Sequence, residues 1–331
     1  MNITVIGAGA WGTALAIAIA RKHSVVVWGR NAEMMHHMAQ ERVNTHYLPG
    51  YPFSEHLQIS SDFNAALAHA GSDGLVIVAT SVAGLRPSLQ ALRGHAVQNL
   101  VWLCKGFEEN TLLLPHQVAA QELGEHVRVG ALSGPSFAQE VAQGLPCALT
   151  VASESSELCK LVVDAVHSAS VRVYSSADVV GVEVGGAVKN ILAIATGISD
   201  GLGLGLNARA ALMTRGLAEI TRLCLALGGR QETLMGLTGV GDLILTCTGD
   251  LSRNRKVGLA LAQGKNLATI VEELGHVAEG VRCAQAVRSI AQQRGVDMPI
   301  ANAVAALLFD GVSAQQTLHD LLARDAKQEV N

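Results

Sequence analysis

The chain has 331 residues, 49% of them apolar, and a formal net charge of −4, enough for one large or two ordinary domains with a sizeable core. Aromatic residues make up only 3%, so Val, Leu, Ile and Ala must do the packing, which suits an α/β or α-rich fold better than an aromatic-rich sandwich. No basic block marks a nucleic-acid surface, and six scattered cysteines without a C-x-x-C pair argue against a zinc or redox motif and for the reduced thiols of a cytoplasmic protein.

Residues 3–20 are almost wholly apolar, but the positive residues Arg21 and Lys22 follow this run instead of preceding it, which is not the order of a signal peptide. No later apolar run of comparable length is apparent, so a soluble protein without membrane insertion is expected. In chain order, strands are predicted at 3–6, 24–28, 75–79, 100–104 and 127–132, with 149–152 and 171–174 as extensions. Helical patterns at 13–21 and 31–42 alternate with the first of them. Past Ser175 β-branched runs become rare, and Ala/Leu-rich helical patterns take over at 207–227, 253–263 and 278–294.

Between the first strand and the first helix, Gly7-Ala8-Gly9-Ala10-Trp11-Gly12 completes a G-x-G-x-x-G, the context in which that pattern binds a dinucleotide. Gly7 would allow the tight turn, Gly9 the approach of a pyrophosphate and Gly12 the packing of helix on strand, with the helix N-terminus facing the phosphates. The expected fold is therefore an α/β Rossmann-type doubly wound parallel sheet over 1–177, the dinucleotide-binding domain, followed by an all-α C-terminal domain over 178–331 that carries substrate and catalysis. A second strand that binds NAD usually ends in a carboxylate; here it ends Val27-Trp28-Gly29-Arg30-Asn31, with no carboxylate before Glu33. Arg30 either pairs with a 2′-phosphate, favouring NADP(H) with or without use of NAD(H), or is a solvated surface arginine. The glycine pairs at 201–205 and 239–241 follow no predicted parallel strand and read as loops.

Reduction of a ketone by hydride needs a proton donor. Lys189 stands near the start of a helical stretch of small and apolar residues, with Gly185 one turn before it leaving room for a ligand; the alternative is a lysine that snorkels to the surface. Lys105 follows a strand at its carboxyl end, where doubly wound sheets bind ligands, or is an ordinary loop lysine. Asp242 would orient a lysine or cap a helix through Leu245. Ser252, Arg253 and Asn254 at a helix start make either a phosphate site or a capped, solvated basic turn. The histidines show no H-E-x-x-H spacing, so no metal is assigned, and Ser133-Gly134-Pro135-Ser136 lacks the nucleophile elbow of hydrolases.

Together with Lys105-Gly106, Ser133 to Ala138, Gly185 to Asn190, Asn207-Ala208-Arg209, Gly239 to Leu243, Ser252 to Asn254 and Val277 to Gly280, the glycine loop resembles the bacterial NAD(P)-dependent glycerol-3-phosphate dehydrogenases in order and spacing. The resemblance implies reversible reduction of dihydroxyacetone phosphate to sn-glycerol 3-phosphate for phospholipid synthesis, with Lys189 as general acid/base. It implies substrate at Lys105, Gly134, Ser136, Lys189, Asp242, Ser252, Arg253 and Asn254. It implies cofactor at Ala10, Trp11, Arg30, Tyr47, Lys105, Ala138, Arg253, Val277 and Glu279, beside Gly7, Gly9 and Gly12, and a homodimer through the helical domain. Two rivals differ in what they require. A dehydrogenase of non-phosphorylated hydroxy acids has no use for Ser252-Arg253-Asn254, and a non-catalytic NAD(H) sensor would carry a partner or nucleic-acid surface.

Overall fold

The structure, a computed structural model, describes residues 1–124, 126–274 and 278–317. The chain begins β1 (Asn2–Ile6), α1 (Ala10–Ile19), β2 (Ser24–Trp28), α2 (Ala32–Glu41), β3 (Val43–Asn44), β4 (Leu48–Pro52) and β5 (Leu57–Ser60). It continues α3 (Phe63–Ala70), β6 (Leu75–Val78), α4 (Val82–Ala91), β7 (Asn99–Trp102), α5 (Pro115–Leu123) and β8 (Arg128–Ser133). Then come α6 (Ala138–Gln143), β9 (Cys147–Ala152), α7 (Ser156–Val166) and β10 (Val171–Ser176). An eight-stranded sheet has the order β10-β9-β8-β7-β6-β1-β2-β5.

Successive side chains of these strands go to opposite faces, and both faces are covered. Ile3, Val5, Val25, Val27, Leu75 and Ile77 pack under α1, α2, α6 and α7. Ile6, Val76, Val78, Leu100 and Trp102 pack under α3, α4 and α5. Burial on both faces is why these strands are near-continuous apolar runs without alternation. The neighbours pair in parallel except β8 with β9, so the expected doubly wound parallel sheet is present with one antiparallel junction. An antiparallel neighbour can be reached without crossing the sheet, so the link from β8 to β9 stays at the end where β8 finishes. Ser136 and Ala138 are thereby kept at that end.

The chain packs into two compact units, Met1–Gly186 with Gly228–Asp242, and Ala187–Leu227 with Leu243 onward. The remaining elements are α8 (Val179–Gly201), α9 (Gly205–Ala226), α10 (Gln231–Leu234), a π-helical turn (Leu237–Gly241), α11 (Asp242–Thr248), α12 (Arg253–Ala262), α13 (Leu267–Leu274), α14 (Glu279–Arg294) and α15 (Pro299–Phe309). Two readings change here. The 239–241 glycines are not a loop but part of the π turn that runs straight into α11; a Cβ on Gly239 would stand 2.0 Å from the Leu234 carbonyl oxygen, so only glycine fits so tight a path. Lys189 lies near the middle of the 23-residue α8, not at its start. A third also changes: α8 is long and apolar enough to cross a bilayer, which corrects the expectation that no later apolar run of comparable length exists, and 89% of the apolar window is buried, as in a core helix. Within the second unit α8 meets α12 at backbone contact: a Cβ on Gly197 would lie 2.2 Å from the Arg255 carbonyl oxygen, and one on Gly258 2.1 Å from that of Ile194.

Candidate active site

The glycine loop leaves β1 through Gly7, whose φ of +117° is a conformation that side chains rarely adopt. Gly12 is close-packed, since its Cβ would meet the Gly7 carbonyl oxygen at 2.5 Å and the Ala79 Cβ at 2.7 Å. Gly9, the N-cap of α1, has neither a side-chain cap nor any heavy atom within 4 Å of where a Cβ would be. The loop thus combines a tight turn, a close packing contact and an open space in front of a helix N-terminus, an arrangement that fits the pyrophosphate of a dinucleotide. Ala10 and Trp11 are half-buried on this helix. Arg30 is exposed just past β2, and Tyr47 is 42% exposed. Asn44, an unremarked residue in the sequence, is fully buried: its amide donates to the Ala8 carbonyl at 2.9 Å and to Thr13 Oγ1 at 2.9 Å, while its oxygen accepts from the Tyr47 N–H at 3.0 Å. Asn44 so ties the glycine loop to the Tyr47 segment.

At the carboxyl end of β7 the first unit gathers Lys105, Gly134, Ser136 and Asp242. Lys105 Nζ donates to Asp242 Oδ2 at 2.6 Å and to the Gly134 carbonyl at 3.3 Å, which also accepts from Ser136 Oγ at 3.0 Å. Asp242 is 2% exposed in this pair and Lys105 15%, so the ammonium keeps a route to solvent while its partner is closed off. Gly186 makes room for the lysine stem, because a Cβ there would sit 3.2 Å from Ser133 Oγ and 3.4 Å from the Lys105 methylenes. Ser133 Oγ is buried without a hydrogen-bond partner, a hydroxyl whose bonding capacity a ligand would use. Three residues before Lys105, Trp102 Nε1 donates to Glu183 Oε1 at 3.0 Å, and Glu183 also accepts the His116 N–H at 2.9 Å and pairs with His116 Nδ1 at 2.5 Å. Burial pushes the Glu183 carboxyl up, with the His116 and Trp102 hydrogen bonds pulling the other way, while the Glu183 contact raises the His116 imidazole against its own burial.

In the second unit Lys189 is 6% exposed and donates to Thr246 Oγ1 at 2.8 Å. The next residue, Asn190, accepts at Oδ1 from Asn254 Nδ2 at 2.9 Å and donates toward Glu279 Oε2 at 3.5 Å. Asn254 Oδ1 in turn accepts the Gly280 N–H at 2.9 Å. This chain of amides fastens the starts of α12 and α14 to the middle of α8. Ser252 caps α12, accepting the Arg255 N–H at 3.3 Å, and Arg253 is exposed on its first turn. Ala138 is half-buried at the start of α6, and Val277 lies outside the described residues. Thr246 and Asn44 carried no distinguishing signal in the sequence, and Asn190 only as the end of the Gly185 to Asn190 stretch; their partners single them out.

Models of known families match both parts of the chain: the NAD-dependent glycerol-3-phosphate dehydrogenase N-terminus over residues 2–159 and its C-terminus over residues 178–319. A protein of Herminiimonas arsenicoxydans named glycerol-3-phosphate dehydrogenase (NAD(P)+) is 67% identical over 330 residues, covering 100% of both chains. The chain belongs to the NAD-dependent glycerol-3-phosphate dehydrogenase family. A solved glycerol-3-phosphate dehydrogenase of Coxiella burnetii has a TM-score of 0.92 at 41% identity, over 97% of this chain and 98% of that one. The glycerol-3-phosphate dehydrogenase of Saccharomyces cerevisiae gives 0.82 at 28% identity, over 98% and 99%. The family is an NAD(P)-dependent oxidoreductase family with a Rossmann-type first domain, as the glycine loop indicated.

Proposed function

We propose that this chain reversibly reduces dihydroxyacetone phosphate to sn-glycerol 3-phosphate with NADPH or NADH, supplying glycerophospholipid synthesis in the cytoplasm. The observation that carries the reading is Lys189, a buried ammonium bonded to Thr246 in a chain 67% identical to a protein of that name. Residues 1–177 bind the dinucleotide and 178–331 hold substrate and the catalytic lysine. The reduced nicotinamide, when bound, supplies hydride to the carbonyl carbon. Lys189 gives its proton to the oxygen as it becomes an alkoxide, and takes it back in the reverse direction. Lys105, fixed by Asp242 and the Gly134 carbonyl, polarises that oxygen.

Ser252, Arg253 and Asn254 receive the phosphate, with Gly134 and Ser136 near the other end of the substrate. Gly7, Gly9, Ala10, Trp11 and Gly12 cradle the pyrophosphate; Tyr47, Ala138, Val277 and Glu279 complete the cofactor contacts. Arg30 takes a 2′-phosphate, so Arg30→Ala is expected to shift preference toward NADH. A homodimer through the helical part is supported by the exposed leucines of α9, Leu206 at 73% and Leu225 at 53%. The test is turnover of dihydroxyacetone phosphate with each cofactor beside a panel of non-phosphorylated 2-keto acids, with sedimentation of the same sample. Preference for the phosphorylated ketone is expected; turnover of the keto acids alone refutes the reading, and a purely monomeric species refutes the dimer.

A further inference from the structure

Asp200 sits near the C-terminal end of α8 and collects two guanidinium groups. Its Oδ1 accepts from Arg209 Nε and Nη2, both at 2.8 Å; its Oδ2 accepts from Arg255 Nε at 2.9 Å and Nη2 at 2.8 Å. Side-chain exposures are 9% for Asp200, 12% for Arg255 and 21% for Arg209. The remaining Arg255 nitrogen, Nη1, reaches the exposed Asp250 at 3.0 Å. Each carboxylate oxygen thus receives a whole fork, a geometry that fixes direction as well as distance. Arg255 belongs to the first turn of α12, the turn that also carries Arg253 and Asn254. Eleven residues separate Lys189 from Asp200, which is three turns and about 16 Å along the same face of one helix. Together with the backbone contacts at Gly197 and Gly258 and the Asn254–Asn190 bond, the clamp holds the first turn of α12 against α8.

We propose that Asp200 is a positioning residue for recognition of the substrate's phosphate. By engaging Arg255 it orients the start of α12 against the helix that carries Lys189, and it leaves Arg253 as the guanidinium of that turn presented to the phosphate. Asp200 itself, saturated by two arginines, touches no ligand. The inference rests on the reading of this chain as a reductase of a phosphorylated ketone.

The test compares Asp200→Asn with wild type on dihydroxyacetone phosphate and on dihydroxyacetone, which lacks the phosphate. Loss of charge-assisted bonds to Arg255 should raise KM for the phosphorylated ketone about 10-fold, leave kcat within about 3-fold and leave kcat/KM for dihydroxyacetone within about 2-fold. Asp200→Glu should recover part of the loss. Arg255→Lys, which keeps the charge but not the fork, should reproduce it and decides the matter if Asp200→Asn fails to fold. Equal losses on the two ketones, or an unchanged KM with a lower melting temperature, would overturn the proposal. Thermal protection by inorganic phosphate is read in parallel. If wild type turns over no phosphorylated ketone, the functional reading fails, yet weaker phosphate protection in Asp200→Asn still supports the clamp and equal protection refutes it.

Discussion

Two helix starts in this protein are proposed to receive phosphate, and they are built in opposite ways. The start of α1 has no side-chain cap and open space at Gly9. The start of α12 has a serine cap, an exposed Arg253, a buried Asn254 and the Asp200–Arg255 clamp. Neither has an acidic residue in its first turn, as an anion site requires. The difference fits the ligands proposed for the two starts. Each phosphate of a pyrophosphate diester bears about one charge and lies flat against the backbone, so removing side chains is what admits it. A phosphate monoester is close to a dianion at neutral pH and stands at the end of a small substrate, so a guanidinium and a fixed helix end are what hold it. A backbone site is sensitive to added atoms, and a side-chain site to removed ones.

The largest expected effect separates both sites from the chemistry. Lys189→Ala should lower kcat about 10³-fold, within the range of a lost general acid, while NADPH dissociation and inhibition by inorganic phosphate stay within about 3-fold. Loss of cofactor binding in that variant would mean that the lysine belongs to the binding machinery. Next comes the side-chain site: Arg253→Gln should raise KM for dihydroxyacetone phosphate about 30-fold, equivalent to about 2 kcal/mol, with a smaller rise for the cofactor. The backbone site gives the mirror-image result. Gly9→Ala should weaken NADPH about 10-fold, about 1.4 kcal/mol, with no change in melting temperature, because the new methyl meets only the space reserved for ligand. Gly12→Ala should lower the melting temperature as well, since its Cβ would be 2.5 Å from the Gly7 carbonyl oxygen. If the two glycine variants behave alike, the open space at Gly9 has no ligand-binding meaning.

How far these sites could be read in advance differs in the same way. β1 and β2 are apolar runs covered on both faces, and Gly7 to Gly12 lies between β1 and α1, so pattern and motif agree. Lys105, Lys189 and Asp242 stand out because charged residues are rare in such surroundings. β5, an edge strand with a half-buried pattern, offered no such run. The antiparallel turn of β9 depends on which end of β8 it returns to, which alternation does not encode. In α8 Gly185 reads as a gap for a ligand one turn before Lys189, yet the fold itself fills that gap: a Cβ there would be 2.5 Å from the Thr238 carbonyl oxygen, and Gly186 clears Lys105. Asn44, Asn190 and Thr246 are ordinary residue types, and their importance exists only in the partners that folding brings to them.

A third helix start completes the comparison, because there the anion is part of the chain. α15 has no side-chain cap of its own; Glu219, buried on α9, accepts the Ile300 N–H at 2.7 Å and the Ala301 N–H at 3.1 Å. Burial nevertheless pushes its carboxyl from 4.5 up to about 7, with the two backbone bonds and Arg222 only partly offsetting the desolvation. The raised value fixes the sign. Stability is fully present below the unfolded value near 4.5 and is lost as pH rises through about 7, because charging the carboxyl costs more in the fold than in water. Between pH 6 and 7.5 the loss should be about 1 kcal/mol. Glu219→Gln, which cannot ionise, should flatten that slope in urea denaturation without changing kcat, since neither phosphate site is touched. An identical pH slope in variant and wild type would mean that the helix dipole and two N–H groups hold the carboxylate charged throughout. The α15 start would then be as good an anion site as the two assigned to phosphate, and a buried helix end would need no guanidinium to hold a full charge.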